Sequence, residues 1–171
     1  QGWVKNAADY WFSTWYGFGA VDATAAVNMA KTYSTYLPTI QTTSKSLQFT
    51  SNVTVPINTT GVTMTFAMSP SFSKVEHVTL GINLSVTPGL TCNQFELTSP
   101  SGTKSILLNF ANGYSANGLS YQTSISNARL ISNAFYGEPA AGNWTLRLLN
   151  YCSGTTTFSL TNIQTLSIMG N

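Results

Sequence analysis

The chain has 171 residues, which is enough for one complete domain with an appendage. Only 7% of the residues are charged and the formal net charge is +2, with the seven basic residues dispersed along the sequence. Such dispersed charge cannot neutralise a series of phosphates, and no apolar run approaches the roughly 20 residues that cross a bilayer. We therefore expect neither a nucleic-acid partner nor a membrane span.

The beginning of the chain is unusually aromatic. Between residues 3 and 18 the sequence contains more aromatic surface than a short segment would leave in contact with water. We therefore expect these side chains to pack against another surface. They are Trp3, Trp11, Phe12, Trp15, Tyr16 and Phe18.

One short helix is predicted next. Asp22 is a plausible N-cap, and the segment from Ala23 to Lys31 carries small and apolar residues at helical spacing on one side. The following residues, 32–46, lose this periodicity and contain Pro38, which is typical of an extended connector.

The remainder of the chain has the pattern of an antiparallel β-sandwich. Short runs of β-branched and aromatic residues recur between Gly, Pro and Asn turn signals, with no second helix. The pattern predicts a mainly β, two-layer protein. The predicted strands are 47–50, 53–55, 62–66, 75–86, 94–98, 105–108, 144–149 and 158–168.

Cys92 and Cys152 are the two cysteines of the chain. Neither has a histidine or a second cysteine at metal-ligand spacing, so a disulfide is the better interpretation. A disulfide closing a loop of about 60 residues is favoured in an oxidising compartment, which predicts an exported protein.

Catalytic machinery is not expected. A serine-protease triad needs an imidazole beside the nucleophile, and the single histidine, His77, falls on the wetter face of the predicted strand 75–86. The G-x-S-x-G and G-T-S-x-A-x-P patterns that carry nucleophilic serines do not occur either. We assign no catalytic and no metal-binding residue.

Two groups of motifs resemble one protein family. Trp3, Asn6, Ser13, the run 16–19 (Tyr-Gly-Phe-Gly) and Asp22-Ala23 resemble the end of a subtilisin-like catalytic domain. Later motifs resemble the P domain (P/Homo B) of proprotein convertases over about residues 47–170. They are Glu76-His77-Val78, Ser99-Pro100-Ser101-Gly102-Thr103, Tyr114 to Gly118, Gly137-Glu138, and Gly142-x-Trp144-x-Leu146.

The resemblance implies a domain organisation and a role. Residues 1–33 would be the C-terminal tail of the catalytic domain, 34–46 a linker, and 47–171 a jelly-roll, galactose-binding-like P domain. The chain would be a non-catalytic part of a secreted subtilisin-like serine endopeptidase. It would stabilise or regulate the catalytic domain of the same precursor, which is its expected partner. The implied interdomain packing residues are Trp3, Trp11, Trp15, Tyr16 and Phe18.

Glu138 is the most informative carboxylate, because it lies in a turn between Gly137 and Pro139. It is expected either to accept hydrogen bonds from loop amides or to act as a calcium ligand or interdomain ion-pair partner. The chain has five acidic residues, too few for a cage of carboxylates, so we expect no cofactor. Calcium is kept as an alternative.

Two other functions are weighed against the accessory role. A carbohydrate-binding module would use Tyr114, Tyr121, Tyr136 and Tyr151 as a stacking platform. An autonomous hydrolase would need His77 as a base with Glu76 as the nearest acid, although neighbouring residues of a strand point to opposite faces. We rank the hydrolase last.

Overall fold

The computed structural model describes residues 2–36, 38–47, 51–87, 89–110, 123–151, 156–159 and 164–171, with the backbone alone at 58, 59 and 159. Within these ranges the chain forms one helix, α1 (Ala23–Thr32), and twelve strands. The strands are β1 (Trp3–Lys5), β2 (Trp11–Ser13), β3 (Gln41–Leu47), β4 (Val53–Val55), β5 (Asn58–Met68), β6 (Val75–Thr87), β7 (Asn93–Thr98), β8 (Lys104–Leu108), β9 (Ser124–Ser132), β10 (Gly142–Asn150), β11 (Thr156–Ser159) and β12 (Gln164–Gly170).

The ten strands after α1 form two antiparallel sheets. A four-stranded sheet has the order β5-β10-β7-β8. In the second sheet β6 is central: β9 pairs with one edge, while β12 and β11 pair with successive stretches of the other edge and continue to β3 and β4. Consecutive strands often cross from one sheet to the other, so the sheets share one core. The predicted mainly β, antiparallel sandwich is therefore confirmed.

The core lies between the two sheets and is built mainly by alternating apolar side chains. On β6 these core side chains are every second residue from Val78 to Val86, and on β10 they include Trp144, Leu146 and Leu148, as predicted. Trp144 is fully buried, packs edge-on against Phe135 with ring centroids 4.9 Å apart, and donates its indole N–H to the Ala140 carbonyl at 3.0 Å. This bond satisfies the one polar atom of the ring.

The helix forms where the sequence predicts it. The Asp22 carboxylate accepts a hydrogen bond from the Ala25 backbone N–H at 2.9 Å, and Lys31 lies in the last turn. No residue of α1 is buried against the described part of the chain. Its larger apolar side chains, Val27 and Met29, are therefore exposed on this chain.

Several strands differ from the prediction. Residues 41–46, predicted as connector, lie in β3, which pairs along its whole length with β12. This strand is an edge exposed on both faces, so its Thr- and Ser-rich sequence carries no hydrophobic alternation. β9 was not predicted because a bulge between Ile125 and Ala128 interrupts its alternation. Ile125, Ala128 and Leu130 pack against the core, and most of its other side chains are exposed. The predicted strand 158–168 is two strands, β11 and β12, and residues 48–50 of another lie outside the described ranges.

The predicted disulfide involves Cys152, which lies outside the described residues. The backbone around Cys92 supports the pairing. Asn93 pairs with Asn150 across β7 and β10, and the Tyr151 N–H donates to the Cys92 carbonyl at 2.8 Å. Tyr151, which precedes Cys152 in the sequence, is thus hydrogen-bonded to Cys92.

We predict that Cys92 and Cys152 form a disulfide that stabilises the sandwich. A Cys92→Ser, Cys152→Ser double variant should lose about 2–4 kcal/mol of unfolding free energy, because the unfolded chain regains the entropy of an open loop. Urea denaturation of the oxidised wild type and the variant measures the difference. Two thiols that react readily in the native, unreduced protein would contradict the prediction.

Candidate interdomain interface

The aromatic segment at the start of the chain folds as a hairpin, and we call residues 3–19 the aromatic hairpin. β1 and β2 pair antiparallel, with Trp3 opposite Ser13. Ser13 and Gly17 exchange two backbone hydrogen bonds of 2.8 Å, which turn the chain back after β2. Gly17 and Gly19 adopt positive φ angles of 59° and 105°, a conformation that glycine reaches without a steric penalty.

Asn6 joins the aromatic hairpin to the sandwich. Its side-chain amide nitrogen donates to the carbonyls of Ala134 and Tyr136, both at 2.9 Å. Its side-chain oxygen accepts from the backbone N–H groups of Ala8 and Tyr10, both at 3.0 Å. One buried side chain thus closes the turn of the hairpin and binds it to the loop between β9 and β10.

Glu138 makes the second connection. Its side chain is fully buried, and its two carboxylate oxygens accept hydrogen bonds from different parts of the chain. One accepts from the Ala7 backbone N–H at 2.9 Å, and the other accepts from the Ser99 hydroxyl at 2.6 Å. A buried carboxylate is stable only when such donors replace its hydration. We call Asn6, Glu138 and their hydrogen-bond partners the polar clamp.

The backbone of the same loop is fixed to β6. The Val75 N–H donates to the Glu138 carbonyl at 3.0 Å, and the Gly137 N–H donates to the Val75 carbonyl at 2.7 Å. Gly137 has a positive φ of 79°, and a Cβ on it would lie 2.9 Å from the Tyr10 ring and 3.2 Å from Ala8. Glycine is therefore required here because the aromatic hairpin lies directly on the loop.

Aromatic rings continue the contact beyond the polar clamp. Tyr136 packs edge-to-face against Tyr10 and Phe18, with centroid distances of 5.1 and 5.7 Å. Phe12 contacts Phe18 at 5.4 Å, and Trp3 stacks on Tyr16 at 6.2 Å. The pKa of the Tyr136 phenol is raised above its ordinary value. The largest cause is the negative charge of Glu76, and burial and the neighbouring Tyr10 contribute less.

The five aromatic residues predicted to pack between domains all lie on this hairpin, and the chain leaves them exposed. The exposed fraction is 41% for Trp3, 57% for Trp11, 80% for Trp15, 61% for Tyr16 and 46% for Phe18. The aromatic hairpin therefore has two sides. One side is bound to the sandwich through the polar clamp, and the other presents large apolar side chains outward.

A cleft of about 630 Å³ separates part of the aromatic hairpin from the sandwich. Val4 and Phe12 line it from the hairpin, and Gly102, Ile106 and Ala134 line it from the sandwich. The described contact between the two parts is thus concentrated at the polar clamp and at Tyr136.

Sequence reasoning identified Glu138 but not its partners. Its carboxylate accepts a hydrogen bond from the backbone amide of Ala7. Among the described residues no group of three His, Cys, Asp or Glu side chains is placed to hold a metal ion. The motifs of the sequence include Asn6 without indicating its role. An Asn between Lys5 and Ala7 gives no local signal of partners 128 and 130 positions away.

The predicted tyrosine platform is only partly described. Tyr114 and Tyr121 lie outside the described residues. Tyr136 lies beside the aromatic hairpin, before the start of β10, and Tyr151 follows the other end of β10, where its ring contacts Phe110 at 5.4 Å. The nine residues of β10 span roughly 30 Å, so these two tyrosines do not share one stacking surface.

His77 lies in β6 opposite Met169 of β12. Its sequence neighbour Glu76 accepts a hydrogen bond from the Asn171 side chain at 3.0 Å. The helix described here, α1, is too short to cross a membrane.

The fold and the hairpin together define the class of protein: an antiparallel β-sandwich that carries a bound N-terminal segment with an uncovered apolar side. The family model for the proprotein convertase P-domain matches residues 75–165. The chain therefore belongs to the proprotein convertase P-domain family, as its motifs predict.

Two relatives of this chain are described as serine proteases. The chain is 31% identical to the Aeromonas extracellular serine protease of Aeromonas sobria and 30% identical to a microbial serine proteinase of Aeromonas salmonicida. Each comparison covers 96% of this chain and 28% of the relative, so the chain spans less than a third of these proteins.

Solved structures agree with the whole chain, including the aromatic hairpin. The crystal structure of the serine protease of Aeromonas sobria matches with a TM-score of 0.79 at 26% identity, covering 100% of this chain and 34% of that one. A second structure of that protease, in complex with a chaperone, matches with a TM-score of 0.78 at 27% identity, covering 100% of this chain and 33% of that one.

We predict that Glu138→Ala weakens the attachment of the aromatic hairpin. The Ser99 hydroxyl would lose its buried acceptor, and the Ala7 N–H would keep only the Thr103 hydroxyl oxygen at 3.0 Å. The loss should lower the unfolding free energy by about 1–3 kcal/mol. Hydrogen exchange at the amides of residues 6–10 should accelerate more than exchange in β10.

The matched control is Asp9→Asn on the same hairpin. Asp9 forms an exposed ion pair with Lys5 at 2.9 Å, and its side chain is 85% exposed. Removing this charge should change stability by less than about 1 kcal/mol, since exposed ion pairs contribute little. Equal effects of the Glu138 and Asp9 variants would contradict the importance of the polar clamp.

The raised pKa of Tyr136 predicts a loss of stability in alkali. The folded protein holds the phenol proton more tightly than the unfolded chain does, so the stabilisation is complete below the unfolded pKa of about 10. It is lost as the pH rises through the folded pKa, because the unfolded state then releases the proton first. Urea unfolding of the wild type and Tyr136→Phe at increasing pH measures the effect. If the difference in unfolding free energy between the wild type and Tyr136→Phe stays constant between pH 9 and about 12, the prediction is contradicted.

Proposed function

We propose that this chain is the non-catalytic, accessory part of a secreted subtilisin-like serine endopeptidase. Residues 1–33 form the last segment of the catalytic domain. Of the predicted linker 34–46, residues 34–40 connect this segment to the P domain, which begins with β3 and extends to residue 171. The P domain stabilises the catalytic domain of the same precursor by holding its last segment in place. The single observation that carries the proposal is the two-sided aromatic hairpin.

The energetic argument concerns the outward side of the hairpin. Five aromatic side chains between 41% and 80% exposed would leave a large apolar surface in water. Covering such surface contributes about 25 cal/mol per Å² before the cost of ordering the partner. A catalytic domain in the same polypeptide continues directly into the hairpin. It therefore covers this surface without a separate association step.

The polar clamp explains why the P domain is needed for this contact. A β-hairpin whose two strands have three residues each is at best marginally stable by itself in water. Asn6 and Glu138 supply the buried hydrogen bonds that fix the hairpin against a preformed sandwich. The sandwich therefore acts as a template on which the end of the catalytic domain takes one conformation.

The comparisons support the same assignment. Both relatives are serine proteases, and one is described as extracellular. An exported location also agrees with the predicted disulfide. The contact of Glu76 with Asn171 supports a role for this acid in the sandwich rather than beside His77 as part of a catalytic pair.

We predict that Trp15→Ser separates the stability of the fragment from that of the complete protease. Trp15 is 80% exposed in this chain, so the variant fragment should unfold within about 0.5 kcal/mol of the wild type. In the full-length enzyme, where we propose that the catalytic domain covers Trp15, the same change should accelerate thermal inactivation several-fold.

Ile57→Ser is the matched control. Ile57 is 53% exposed and precedes β5 at the end of the sandwich distant from the aromatic hairpin. It should leave both the fragment and the full-length enzyme unchanged. Unchanged inactivation of the Trp15 variant of the full-length enzyme would overturn the proposed contact.

A further inference from the structure

A second site lies on the outer face of the sheet that contains β6. A cleft of about 320 Å³ opens where β9, β6 and β12 lie side by side. The polar residues that line it come from all three strands. They are Thr79, Asn83, Asn127, Arg129, Thr165 and Ser167.

Gly81 forms the floor of this cleft. It pairs with Arg129 on one side and Thr165 on the other, so it lies at the middle of a three-strand row. Its backbone does not require glycine, because its φ is not positive and an added Cβ would be 3.6 Å from the nearest atom, an ordinary contact. A glycine inside a strand, where β-branched residues are favoured, is typical of a place where another molecule approaches closely.

Thr79 supplies the second observation. Its side chain is 97% buried, since only 3% of the residue is exposed, and it lines the cleft. Its hydroxyl has no hydrogen-bond partner within the part of the chain that the structure describes. A buried hydroxyl without a partner is costly, and such a group indicates a missing ligand atom or water.

The wall formed by β9 contains a bulge. The register between β6 and β9 shifts between Ile82 and Leu84, with one extra residue in β9. Asn127 adopts a φ of 51° at this bulge, and its N–H donates to the Asn83 side-chain oxygen at 2.7 Å. Bulges commonly redirect side chains beside binding sites.

The charges identify the class of ligand. Arg129 is exposed and has no ion pair within the described ranges. The five carboxylates of the chain are placed elsewhere: Asp9 with Lys5, Asp22 at the helix cap, Glu76 with Asn171, Glu96 with Arg147, and Glu138 in the polar clamp. No aromatic ring lines the cleft, so a stacked sugar is not favoured.

We propose that this cleft binds a carboxylate group, with the Arg129 guanidinium as the charge partner and the Thr79 hydroxyl as a hydrogen-bond donor. Guanidinium and carboxylate match geometrically, and such charge-assisted hydrogen bonds are the strongest that exposed side chains form. The carboxylate comes either from a free small acid or from an acidic side chain of a peptide. The inference does not depend on the proposed protease function.

The experiment is a titration of the labelled 171-residue chain with sodium acetate, followed by amide chemical shifts, against sodium chloride at equal ionic strength. Acetate should cause saturable shifts at Thr79, Gly81 and Arg129 that chloride does not cause. Arg129→Gln should weaken binding about tenfold or more, and Thr79→Val should weaken it severalfold. Lys45→Gln removes the same charge from β3 and should leave acetate binding unchanged.

Two further arms separate the ligand sources and the alternatives. A blocked Gly-Asp-Gly peptide that binds more tightly than acetate assigns the site to protein side chains, whereas equal or weaker binding assigns it to small acids. Gly81→Val should abolish binding without lowering the melting temperature, because valine suits a strand. Absence of saturable acetate shifts, equal effects of the Arg129 and Lys45 variants, or shifts caused by methyl glucoside alone would overturn the proposal.

Discussion

The buried carboxylate of Glu138 is the constraint on which the arrangement of this chain depends. A charge without hydration is unstable unless donors surround it, and here the donors come from the Ala7 amide and the Ser99 hydroxyl. The Glu138 carboxylate therefore has both of these hydrogen-bond donors only when the aromatic hairpin is in place. This requirement converts a short, marginal hairpin into a fixed part of the fold.

The polar clamp also decides which side of the hairpin faces outward. Asn6 points inward to the carbonyls of Ala134 and Tyr136, whereas the tryptophans of the two short strands and of the turn after them are exposed. Polar groups give the contact its direction, because hydrogen bonds need defined geometry, whereas apolar surface is tolerant of orientation. The exposed tryptophans are then available for a partner at one defined position.

The sequence predicted the parts of the fold in which the spacing of apolar residues matches the period of the strand or helix. The alternation of β6 and β10, the Asp22 cap and the burial of Trp144 follow from local rules, and the structure confirms them. It did not predict β3, an edge strand exposed on both faces that carries no alternation, or β9, whose alternation is interrupted by the bulge between Ile125 and Ala128. The partners of Glu138 were also out of reach, since Ala7 lies 131 positions away in the sequence.

β6 connects the features of this molecule. Its first residue, Val75, holds the loop that carries Glu138, its inward side chains build the core, and its outward Thr79 and Gly81 form the second cleft. From Val75 to Gly81 the strand advances roughly 20 Å, with β12 paired along this stretch and β9 paired from Val78 onward. The aromatic hairpin and the cleft are thus held at a fixed separation, so a partner bound at one is positioned relative to the other without any conformational change.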